Sequence, residues 1–537
     1  MEFNLADLFE AVAATVPGNE ALVCTGVEPG GPEPVRWDYA TLDARVDAAA
    51  HVLADRGVGP GDTVGLHLHN GWEYVVLMLA AFKLRAIPVN VNYRYVAEEL
   101  AHVFADADLR VLVTETDHLA AVEEACGSLA EPPVVLLRGD ELDGLVAEAP
   151  AGRVDVGPRS ADDLYLLYTG GTTGMPKGVT WRHEDIYFAS LGGRGTPSKG
   201  VPALTAPDQI VERARRGDPI MRRLPLCPMM HGGAMWVALQ THLSGGALVL
   251  STDRHFAAAD ALDLLSGERV ELTMVIGDAT ARPLADALVA EPDRWDLSAL
   301  QVVASGGAVL SPATQTSLRA SLPGTKVVDT FGASETGGQG RLSSASSSSG
   351  APRLVTDDDT AVLDDDLRPV APGEVGRLAR KGWIPLGYRN DPVKTAATFP
   401  VVDGERWSVP GDLARLEEDG TITLLGRGSQ CINTGGEKVF PEEVEKAVKH
   451  HPAVFDALVV GVPDDRFGQR VVAVVSLRPG ASVPDDEDLA DGARAHVAGY
   501  KVPRAWVRVA HCERLPTGKP DYRWATATAR EALGLDA

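Results

Sequence analysis

Hydrophobic positions repeat with two different periods along the first third of the chain. Residues 5–16 and 39–56 place apolar side chains three and four positions apart, which predicts amphipathic helices, and residues 72–84 predict an apolar helix. Short runs of apolar and β-branched residues predict buried strands, at residues 63–69, 87–89, 111–114, 134–137 and 164–167. Strands that alternate with helices predict βαβ units and a mostly parallel sheet.

The pattern changes after residue 190. Residues 192–218 are rich in glycine, proline and charge, which predicts a surface excursion rather than a core element. The chain re-enters the core at residues 224–226, and further βα units follow, with strands predicted at 247–250, 272–276, 302–305 and 327–330. Each of these strands ends at a turn that carries Gly, Asp or Ser. Because ligands bind outside the carboxyl ends of strands in open α/β sheets, we expect a site to assemble at these turns.

The last third of the chain predicts two different units. A nearly pure serine run at residues 343–349 predicts a flexible loop, and residues 373–425 predict the short strands of a β-rich subdomain. Beyond residue 429 we predict a helix at 441–449, strands at 457–462 and 471–477, and a polar tail.

We therefore predict an α/β protein with two domains. A large N-terminal domain, residues 1–428, contains several subdomains with parallel-rich sheets and a β-rich part. A small α+β C-terminal domain, residues 429–537, acts as a mobile lid.

Composition narrows the kinds of partner. The 537 residues are 45% apolar and 23% charged, as in an ordinary soluble protein, and the net charge is −25. Nucleic acid and anionic membranes attract basic surfaces, so we expect neither as a partner, and anionic ligands must meet local cations.

The five cysteines form neither a metal-ligand spacing nor a disulfide framework, which favours a reducing cytoplasm. The N-terminus carries acids where a signal peptide needs bases, and the longest apolar run, 74–82, is far too short to span a bilayer. We expect no export and no stable membrane association.

One glycine-rich stretch carries the first chemical signal. Residues 168–178 read YTGGTTGMPKG, after a predicted strand and before what we predict to be a helix. Glycines let backbone N–H groups approach an anion, and threonine hydroxyls and Lys177 add donors and charge, which predicts a phosphate-binding loop. Met175 and Pro176 separate Gly174 from Lys177, unlike the Gly-Lys-Ser/Thr succession of kinase and ATPase loops. A mobile surface turn is the alternative.

Five further motifs complete a set. They are PMMH ending at His231, FGASE ending at Glu335, PGD ending at Asp412, GRGSQCINTGGEKVFPEEVE at 426–445, and PTGK ending at Lys519. In order and spacing, the six motifs resemble those of the adenylate-forming superfamily, which holds acyl-CoA synthetases, firefly luciferase and peptide-synthetase adenylation domains. The resemblance implies that a carboxylate attacks the α-phosphate of ATP to give acyl-AMP, and that a thiol then displaces AMP.

The resemblance implies roles for the catalytic candidates. Lys177, with Thr172 and Thr173, holds the β- and γ-phosphates, and Glu335 is the Mg²⁺ ligand. Lys519 inserts a cation between the substrate carboxylate and the α-phosphate, and it moves with the small domain. The implied nucleotide contacts are Thr169, Gly170, Gly171, Thr172, Thr173, Gly174, Gly307, Asp329, Phe331, Gly332, Ser334, Asp412 and Arg427, with Phe331 facing adenine and Asp412 and Arg427 facing the ribose.

The second step implies a second set of residues. The hinge position falls on Ser429, and Gly435 and Gly436 match the loop that lines the tunnel for the pantetheine arm of coenzyme A. His231 is placed at the mouth of the acyl pocket, with a buried structural histidine as the alternative. Small residues at 232–234, together with Trp236, Ile276 and Gly306, suggest space for a bulky apolar acid, and Asp278 suggests a contact with a polar group of it.

Three departures from the family pattern concern the adenylation half. Gly170 stands where many relatives have serine, Ser429 replaces the more common Asp or Lys hinge residue, and the PTGK loop is shorter than usual. The TGGTTG pattern and the later GKPDYRW resemble actinobacterial ligases for steroid side-chain and cyclic terpenoid acids, with diterpenoid-acid ligases of the platensimycin kind as a sub-case.

We therefore expect an AMP-forming acyl-CoA ligase that uses ATP or acyl-AMP, Mg²⁺, coenzyme A and a bulky carboxylic acid, with a homodimer as a further expectation. Three alternatives stay open. They are a ligase specialised for making the thioester from preformed acyl-AMP, a non-catalytic acyl-adenylate binder, and a luciferase-like oxygenase.

Overall fold

A computed structural model describes residues 1–27, 33–169, 175–195, 200–217, 221–307, 310, 312–343, 353–427, 432–439, 441–478, 480–513 and 521–535. The helices are α1 (Leu5–Thr15), α2 (Tyr39–Ala54), α3 (Trp72–Lys83), α4 (Ala97–Ala107), α5 (Leu119–Gly127), α6 (Asp140–Glu148), α7 (His183–Ser190), α8 (Gln209–Arg216), α9 (Gly232–His242), α10 (Ala258–Gly267), α11 (Gly277–Ala290), α12 (Pro312–Ser321), α13 (Pro392–Thr398), α14 (Pro441–Lys449), α15 (Asp486–Arg494) and α16 (Tyr522–Ala532).

The strands fall into three sheets. They are β1 (Glu20–Thr25), β2 (Val35–Asp38), β3 (Thr63–His67), β4 (Ile87–Asn90), β5 (Leu109–Thr114), β6 (Val134–Leu137), β7 (Leu164–Thr169), β8 (Lys177–Arg182), β9 (Arg222–Pro225), β10 (Ala247–Ser251), β11 (Leu272–Val275), β12 (Val302–Ser305), β13 (Lys326–Ala333), β14 (Gly337–Ser343), β15 (Arg353–Thr356), β16 (Thr360–Leu363), β17 (Val375–Lys381), β18 (Gly387–Tyr388), β19 (Val401–Val402), β20 (Glu405–Ser408), β21 (Asp412–Leu416), β22 (Ile422–Arg427), β23 (Ile432–Thr434), β24 (Glu437–Val439), β25 (Val454–Asp464), β26 (Gly468–Leu477) and β27 (Ala505–Val509).

Two of the sheets belong to the N-terminal part. One has the order β18-β8-β7-β4-β3-β5-β6, in which β7, β4, β3, β5 and β6 run parallel. The other joins the parallel strands β9 to β13 to an antiparallel set made from β14 to β17 and β19 to β22. The carboxyl ends of β11, β12 and β13 therefore meet at one edge, where sequence reasoning expected a site. The α/β fold class predicted from the sequence is confirmed.

The third sheet forms the C-terminal part. It has the order β24-β23-β26-β25, with β27 beside β26, and α14, α15 and α16 flank it. The last strand of the N-terminal part ends at Arg427 and the first strand of the C-terminal sheet begins at Ile432. The predicted boundary, between residues 428 and 429, lies in the gap between these strands, outside the described residues.

The element after the phosphate loop was predicted wrongly. Residues 177–182 form strand β8, antiparallel to β7, with Thr169 opposite Lys177, so the loop joins two strands of a hairpin. The reason lies in the alternation of this stretch, since Val179 and Trp181 are fully buried while Thr180 between them is half-buried. The β-branched and aromatic residues fit a pleated surface better than a helix.

Two segments predicted to be irregular contain helices. Within residues 192–218, α8 buries Ile210 and Ala214 and packs against α1. The predicted polar tail contains α16, which buries Ala525 and Ala529 against β25. In both helices small apolar groups recur on one face of a very polar sequence, so the buried stripe is narrow. The predicted serine loop lies outside the described residues, apart from Ser343 at the end of β14.

Helix α3 is the centre of the largest core. Nearly every residue from Glu73 to Lys83 is buried, because the helix is covered by α1, α2 and the strands of two sheets. Lys83 ends this helix and is only 3% exposed, yet its Nζ lies 2.5 Å from Asp47 and 2.6 Å from Asp43. The charge is tolerated at depth because three carboxylates face it, those of Asp47, Asp43 and, at 3.4 Å, Glu10. Within the described residues, no helix has both the length and the hydropathy that a membrane crossing requires.

Candidate active site

Lys177 lies at the start of β8, directly across the hairpin from Thr169. Its ammonium donates to Asp391 Oδ2 at 2.6 Å and lies 5.7 Å from the centre of the Tyr388 ring. The hydrogen bond from Lys177 lowers the pKa of Asp391, and the backbone N–H of Lys394 adds to this effect. The predicted loop residues Gly170, Gly171, Thr172, Thr173 and Gly174 lie outside the described residues.

Glu335 occupies the turn between β13 and β14. Tyr388 donates its hydroxyl to Glu335 Oε1 at 3.0 Å, and Ser408 donates to the Glu335 carbonyl at 2.6 Å. Tyr388 thus contacts both Lys177 and Glu335, which brings these two predicted residues to one place. In the part of the chain that the structure describes, no basic side chain lies within ion-pair distance of Glu335. Glu335 is thus a half-exposed carboxylate without a basic partner among the described residues, and such an oxygen is the kind of ligand that Mg²⁺ requires.

The predicted nucleotide residues lie along the same edge. Asp329 on β13 is buried and pairs in register with Ser305, which ends β12 and is followed by Gly306 and Gly307. Gly307 has a φ of +80°, a conformation that favours glycine. Phe331 is half-buried, with part of its ring against the core of the β-rich subdomain.

The turn that carries Glu335 is held by close backbone contacts. Trp181 donates its indole N–H to the Ser334 carbonyl at 3.0 Å. Gly332 packs against the backbone of Gly337 so closely that a Cβ would clash with it. The predicted nucleotide residues Gly332 and Ser334 therefore shape the backbone of this turn.

Asp412 begins β21 and lies opposite Arg427 in the antiparallel register with β22. The structure places the two predicted ribose contacts on neighbouring strands. The side chain of Arg427 lies outside the described set.

Two asparagines, the buried Asn90 and the half-buried Asn70, hold the loop that carries His231. Asn90 donates to the carbonyls of Tyr168, at 2.9 Å, and Met230, at 2.7 Å, and accepts from the N–H of Tyr168 at 2.7 Å. Asn70 accepts from the N–H of Met229 at 2.8 Å. Sequence reasoning missed Asn90, since an Asn at the end of a strand is more often a turn former. Asn90 ties the strand that leads into the phosphate loop to the segment before His231.

His231 precedes α9 and its side chain is 32% exposed, so it is not a fully buried structural histidine. Its Nε2 lies 3.1 Å from Glu437 Oε1, which belongs to the C-terminal sheet. Glu437 also accepts from Arg94 at 3.0 Å. Burial alone raises the pKa of Glu437, but the charges of His231, Arg94 and Lys501 outweigh it, and the pKa is lowered.

The predicted acyl pocket is more closely packed than its small residues suggest. A Cβ on Gly232 would lie 2.6 Å from Leu167, and one on Gly233 would lie 2.8 Å from the terminal methyl of Met274. The same methyl lies 3.3 Å from a Cβ built on Gly306. The glycines admit neighbouring side chains here, and the half-buried, flexible Met274 occupies the space between two of them.

The remaining candidates for the acyl pocket differ in how much of each residue the structure describes. Trp236 and Ile276 are half-buried beside the main core. The backbone of Asp278 lies in the first turn of α11, and its side chain is outside the described set.

The turn between β23 and β24 reaches this pocket from the C-terminal part. Gly435 and Gly436 have φ values of +59° and +88°, which favour glycine. A Cβ on Gly436 would collide with Ile276, and one on Gly435 would lie 2.9 Å from Phe467. Both glycines are needed for the turn and for its close approach, and the predicted tunnel loop therefore meets the predicted acyl pocket.

Two further predicted residues, Ser429 and Lys519, lie outside the described residues, in the ranges 428–431 and 514–520.

Sequence reasoning missed Tyr388 and Asp391. The GYRNDP stretch carries a helix-start signal, Asp before Pro, and no visible sign of a phosphate site.

Comparison with known proteins agrees with this arrangement. A model of the AMP-binding enzyme family matches residues 9–387, and a model of the AMP-binding enzyme C-terminal domain matches residues 443–519. A 3-oxocholest-4-en-26-oate–CoA ligase from Rhodococcus rhodochrous is 45% identical, over 98% of this chain and 96% of the relative. A medium/long-chain-fatty-acid–CoA/3-oxocholest-4-en-26-oate–CoA ligase from Mycobacterium tuberculosis is 43% identical, over 97% and 95%.

A solved structure is similar over the same extent. The amide bond synthetase McbA from Marinactinospora thermotolerans superposes with a TM-score of 0.79 at 25% identity, over 97% of this chain and 99% of that one. The similarity in sequence and in fold covers nearly the whole chain. The protein belongs to the AMP-binding, adenylate-forming enzyme family, as its six motifs predict.

Proposed function

We propose that this chain is an AMP-forming acyl-CoA ligase that converts a bulky apolar acid, steroid- or terpenoid-like, into its coenzyme A thioester through acyl-AMP. The observation that carries the proposal is the meeting of two half-sites. Lys177 and Glu335 meet on Tyr388 at one end, and the turn at Gly435 and Gly436 meets Ile276 at the other. The steroid-acid ligase at 45% identity supports the acid class.

In the first step, a carboxylate oxygen of the acid attacks the α-phosphorus of ATP and pyrophosphate leaves. Lys177 releases Asp391 and binds the departing phosphates instead. The exchange is possible because Asp391 is half-exposed and because the lysine pairs with an anion in both cases. Lys519 adds a charge where negative charge develops in the transition state. Glu335 is the residue that would hold Mg²⁺, an ion that would neutralise phosphate charge, and Tyr388 orients its carboxylate.

In the second step, the thiol sulfur attacks the acyl carbon, the thiol loses its proton, and AMP leaves with the electron pair of the acyl–phosphate bond. The turn at Gly435 and Gly436 lines the path of the pantetheine arm, and it packs closely against Ile276 because Gly436 has no side chain. His231 lies where this turn reaches the acyl pocket, and Glu437 fixes the orientation of its ring. Rotation of the C-terminal domain about Ser429 separates the two steps.

One assay tests the function. The protein is incubated with ATP, Mg²⁺, coenzyme A and a panel of fatty, aromatic, steroid and diterpenoid acids, and pyrophosphate and acyl-CoA are followed separately. We expect both products with at least one polycyclic acid, and pyrophosphate alone when coenzyme A is omitted. Neither product with any acid contradicts the proposal and supports a non-catalytic binder. Oxygen uptake with synthetic acyl-AMP supports an oxygenase.

A second candidate of the same class is a ligase specialised for the thioester step. The docked turn at Gly435 and Gly436 favours it, because this geometry suits thioester formation. Acyl-CoA formed only when synthetic acyl-AMP is supplied identifies this case. The Lys519→Ala variant should lose adenylation by about 100-fold and keep much of thioester formation, and an equal loss of both would mean that Lys519 has another role.

Four finer points remain part of the proposal. They are the domain boundary at residues 428 and 429, the use of Mg²⁺, a cytoplasmic location and a homodimer. Mg²⁺ is tested by EDTA in the same assay, and the dimer by light scattering at several protein concentrations.

A further inference from the structure

One buried ion pair joins the two parts of the molecule. Lys501 of the C-terminal part donates to Glu99 Oε1 on α4 at 2.6 Å, and the side chains are 0% and 1% exposed. Both charges are thus removed from water at the contact between the N-terminal and C-terminal parts. Charges are buried in this way only when each has its partner, because loss of either partner leaves an unpaired charge at depth.

Each member of the pair is fixed on its own side. Glu99 accepts from the N–H of Val96 through its other oxygen, at 3.2 Å, which anchors it to the first turn of its helix. The Lys501 ammonium lies 5.4 Å from the centre of the Tyr95 ring and 5.7 Å from that of Tyr500, one ring from each part. The pair is therefore held from both sides in this relative placement of the two parts.

Apolar packing surrounds the pair. Ala498 is fully buried in the same apolar cluster as Ile87, Leu100 and Leu166 of the N-terminal part. The pair thus lies in a dry contact between the two parts of the chain.

The same placement assembles the proposed thioester site. It is the arrangement in which Gly436 meets Ile276 and Glu437 meets His231. A rotation that separates the contact must take Lys501 and Glu99 apart and return both to water. The ion pair therefore stabilises this arrangement relative to any other.

We propose that Glu99 and Lys501 are positioning residues that hold the C-terminal domain in the thioester-forming orientation, and that separating them is a required event in passing between the half-reactions. The inference rests on the proposed two-step function. Neither residue touches a substrate in this role. They set the fraction of molecules whose C-terminal domain is in each of its two orientations. We call the Glu99–Lys501 pair the latch.

The test compares the two half-reactions in Lys501→Met and Glu99→Gln. Adenylation is read as pyrophosphate released without coenzyme A, and thioester formation as acyl-CoA made from supplied acyl-AMP. We expect thioester formation to fall about tenfold while adenylation is unchanged or faster, as for a typical coupling between distant sites. Lys501→Arg, which keeps the charge, should retain most of the wild-type ratio.

A matched control variant distinguishes an effect on the orientation of the C-terminal domain from a general loss of folding stability. Lys83→Met removes another buried lysine, which pairs with Asp47, Asp43 and Glu10, inside the N-terminal part alone. We expect this variant to be less stable with an unchanged ratio of the half-reactions. An equal loss of both half-reactions in Lys501→Met, or the same ratio change in Lys83→Met, overturns the proposal.

A measurement without substrate keeps the inference separate from the function. Hydrogen exchange should become faster at α4 and at residues 496–501 in Lys501→Met, while α3 stays protected. Unchanged exchange at both places overturns the latch even if the enzyme is active. Wild-type protein that makes neither product with any acid overturns the proposed function, and the exchange result still decides whether the contact depends on this pair.

Discussion

Two lysine–carboxylate pairs of equal length lie in very different surroundings. Lys177 and Asp391 are 2.6 Å apart, with side chains that are 14% and 31% exposed, and both belong to the N-terminal part. Lys501 and Glu99 are also 2.6 Å apart, but they are buried and belong to different parts. Distance alone does not distinguish the pairs.

The difference in exposure gives the pairs different uses. Water and a passing anion can replace Asp391 at Lys177, since exposed pairs contribute little to stability, roughly 0–1 kcal/mol. The buried pair cannot exchange partners without moving a whole domain, and removing one member costs about 3–5 kcal/mol. The half-exposed pair, Lys177 and Asp391, suits ligand binding, and we call it the open pair. The buried pair, Lys501 and Glu99, suits control of the position of the domain, and we call it the closed pair.

The largest expected effect comes from breaking the open pair at its lysine. Lys177→Met should lower the adenylation rate by about 100-fold, as expected when one preorganised cation is removed. The free energy of unfolding should change by only about 1 kcal/mol, because the pair is half-exposed and water can solvate Asp391 when Lys177 is removed. Pyrophosphate release and urea denaturation measure the two quantities.

Lys394→Met is the control for that variant. Lys394 also lies near Asp391 but is not a predicted phosphate ligand. A similar loss of adenylation in Lys394→Met would mean that the local charge, and not Lys177 itself, matters.

The effect of the proposed acid pocket should be separable from the effects of both pairs. Met274→Ala removes the terminal methyl that approaches Gly233 and Gly306. We expect kcat/KM to shift about tenfold towards bulkier acids, the size typical of one or two methylene groups in an apolar pocket. KM for ATP and the ratio of half-reactions should stay constant, and a change in either would link the pocket to one of the pairs.

A smaller effect should follow from the carboxylate of the open pair. Asp391 also caps α13, since it accepts from the N–H of Lys394 at 2.8 Å, and Asn keeps this cap. Asp391→Asn should therefore lower KM for ATP roughly threefold to fivefold by removing the competitor for Lys177, a difference of about 1 kcal/mol. A raised KM would show that Asp391 assists nucleotide binding. Steady-state kinetics at varied ATP measures it.

The smallest expected effect is a pH dependence on the closed side. The folded pKa of Glu437 lies below its ordinary value of 4.5, so its stabilisation is fully present above pH 4.5 and is lost as the pH falls through the folded pKa. As the pH falls from 6 to 3, the wild type should therefore lose more stability than Glu437→Gln. Urea denaturation at each pH measures this, and parallel curves for the two proteins would contradict it.

Motifs predicted the family better than they predicted local structure. Lys177 and Glu335 remain predicted site residues, because their roles were inferred from residue type and motif order, and the structure brings both against Tyr388. The helix predicted after the phosphate loop was wrong, because a glycine loop before a helix is the commoner pattern, and the alternation of Val179 and Trp181 was overlooked.

The closed pair was invisible to sequence reasoning for a physical reason. Glu99 and Lys501 are 402 positions apart, and each alone reads as a solvated charge on a helix or a turn. Their burial depends on how the two parts meet, which no local pattern encodes. The same holds for Glu437, whose partners His231 and Arg94 lie far away in the chain.

The carboxamide of Asn90 has a consequence for how the two substrates are spaced. One rigid planar group bonds to Tyr168 through both its oxygen and its nitrogen, and to Met230 through the same nitrogen. The base of the phosphate hairpin and the base of the histidine loop are thereby kept at a set separation, without any long flexible side chain between them. We therefore expect the Asn90 side chain to set the distance between the bound nucleotide and the acid without contacting either substrate.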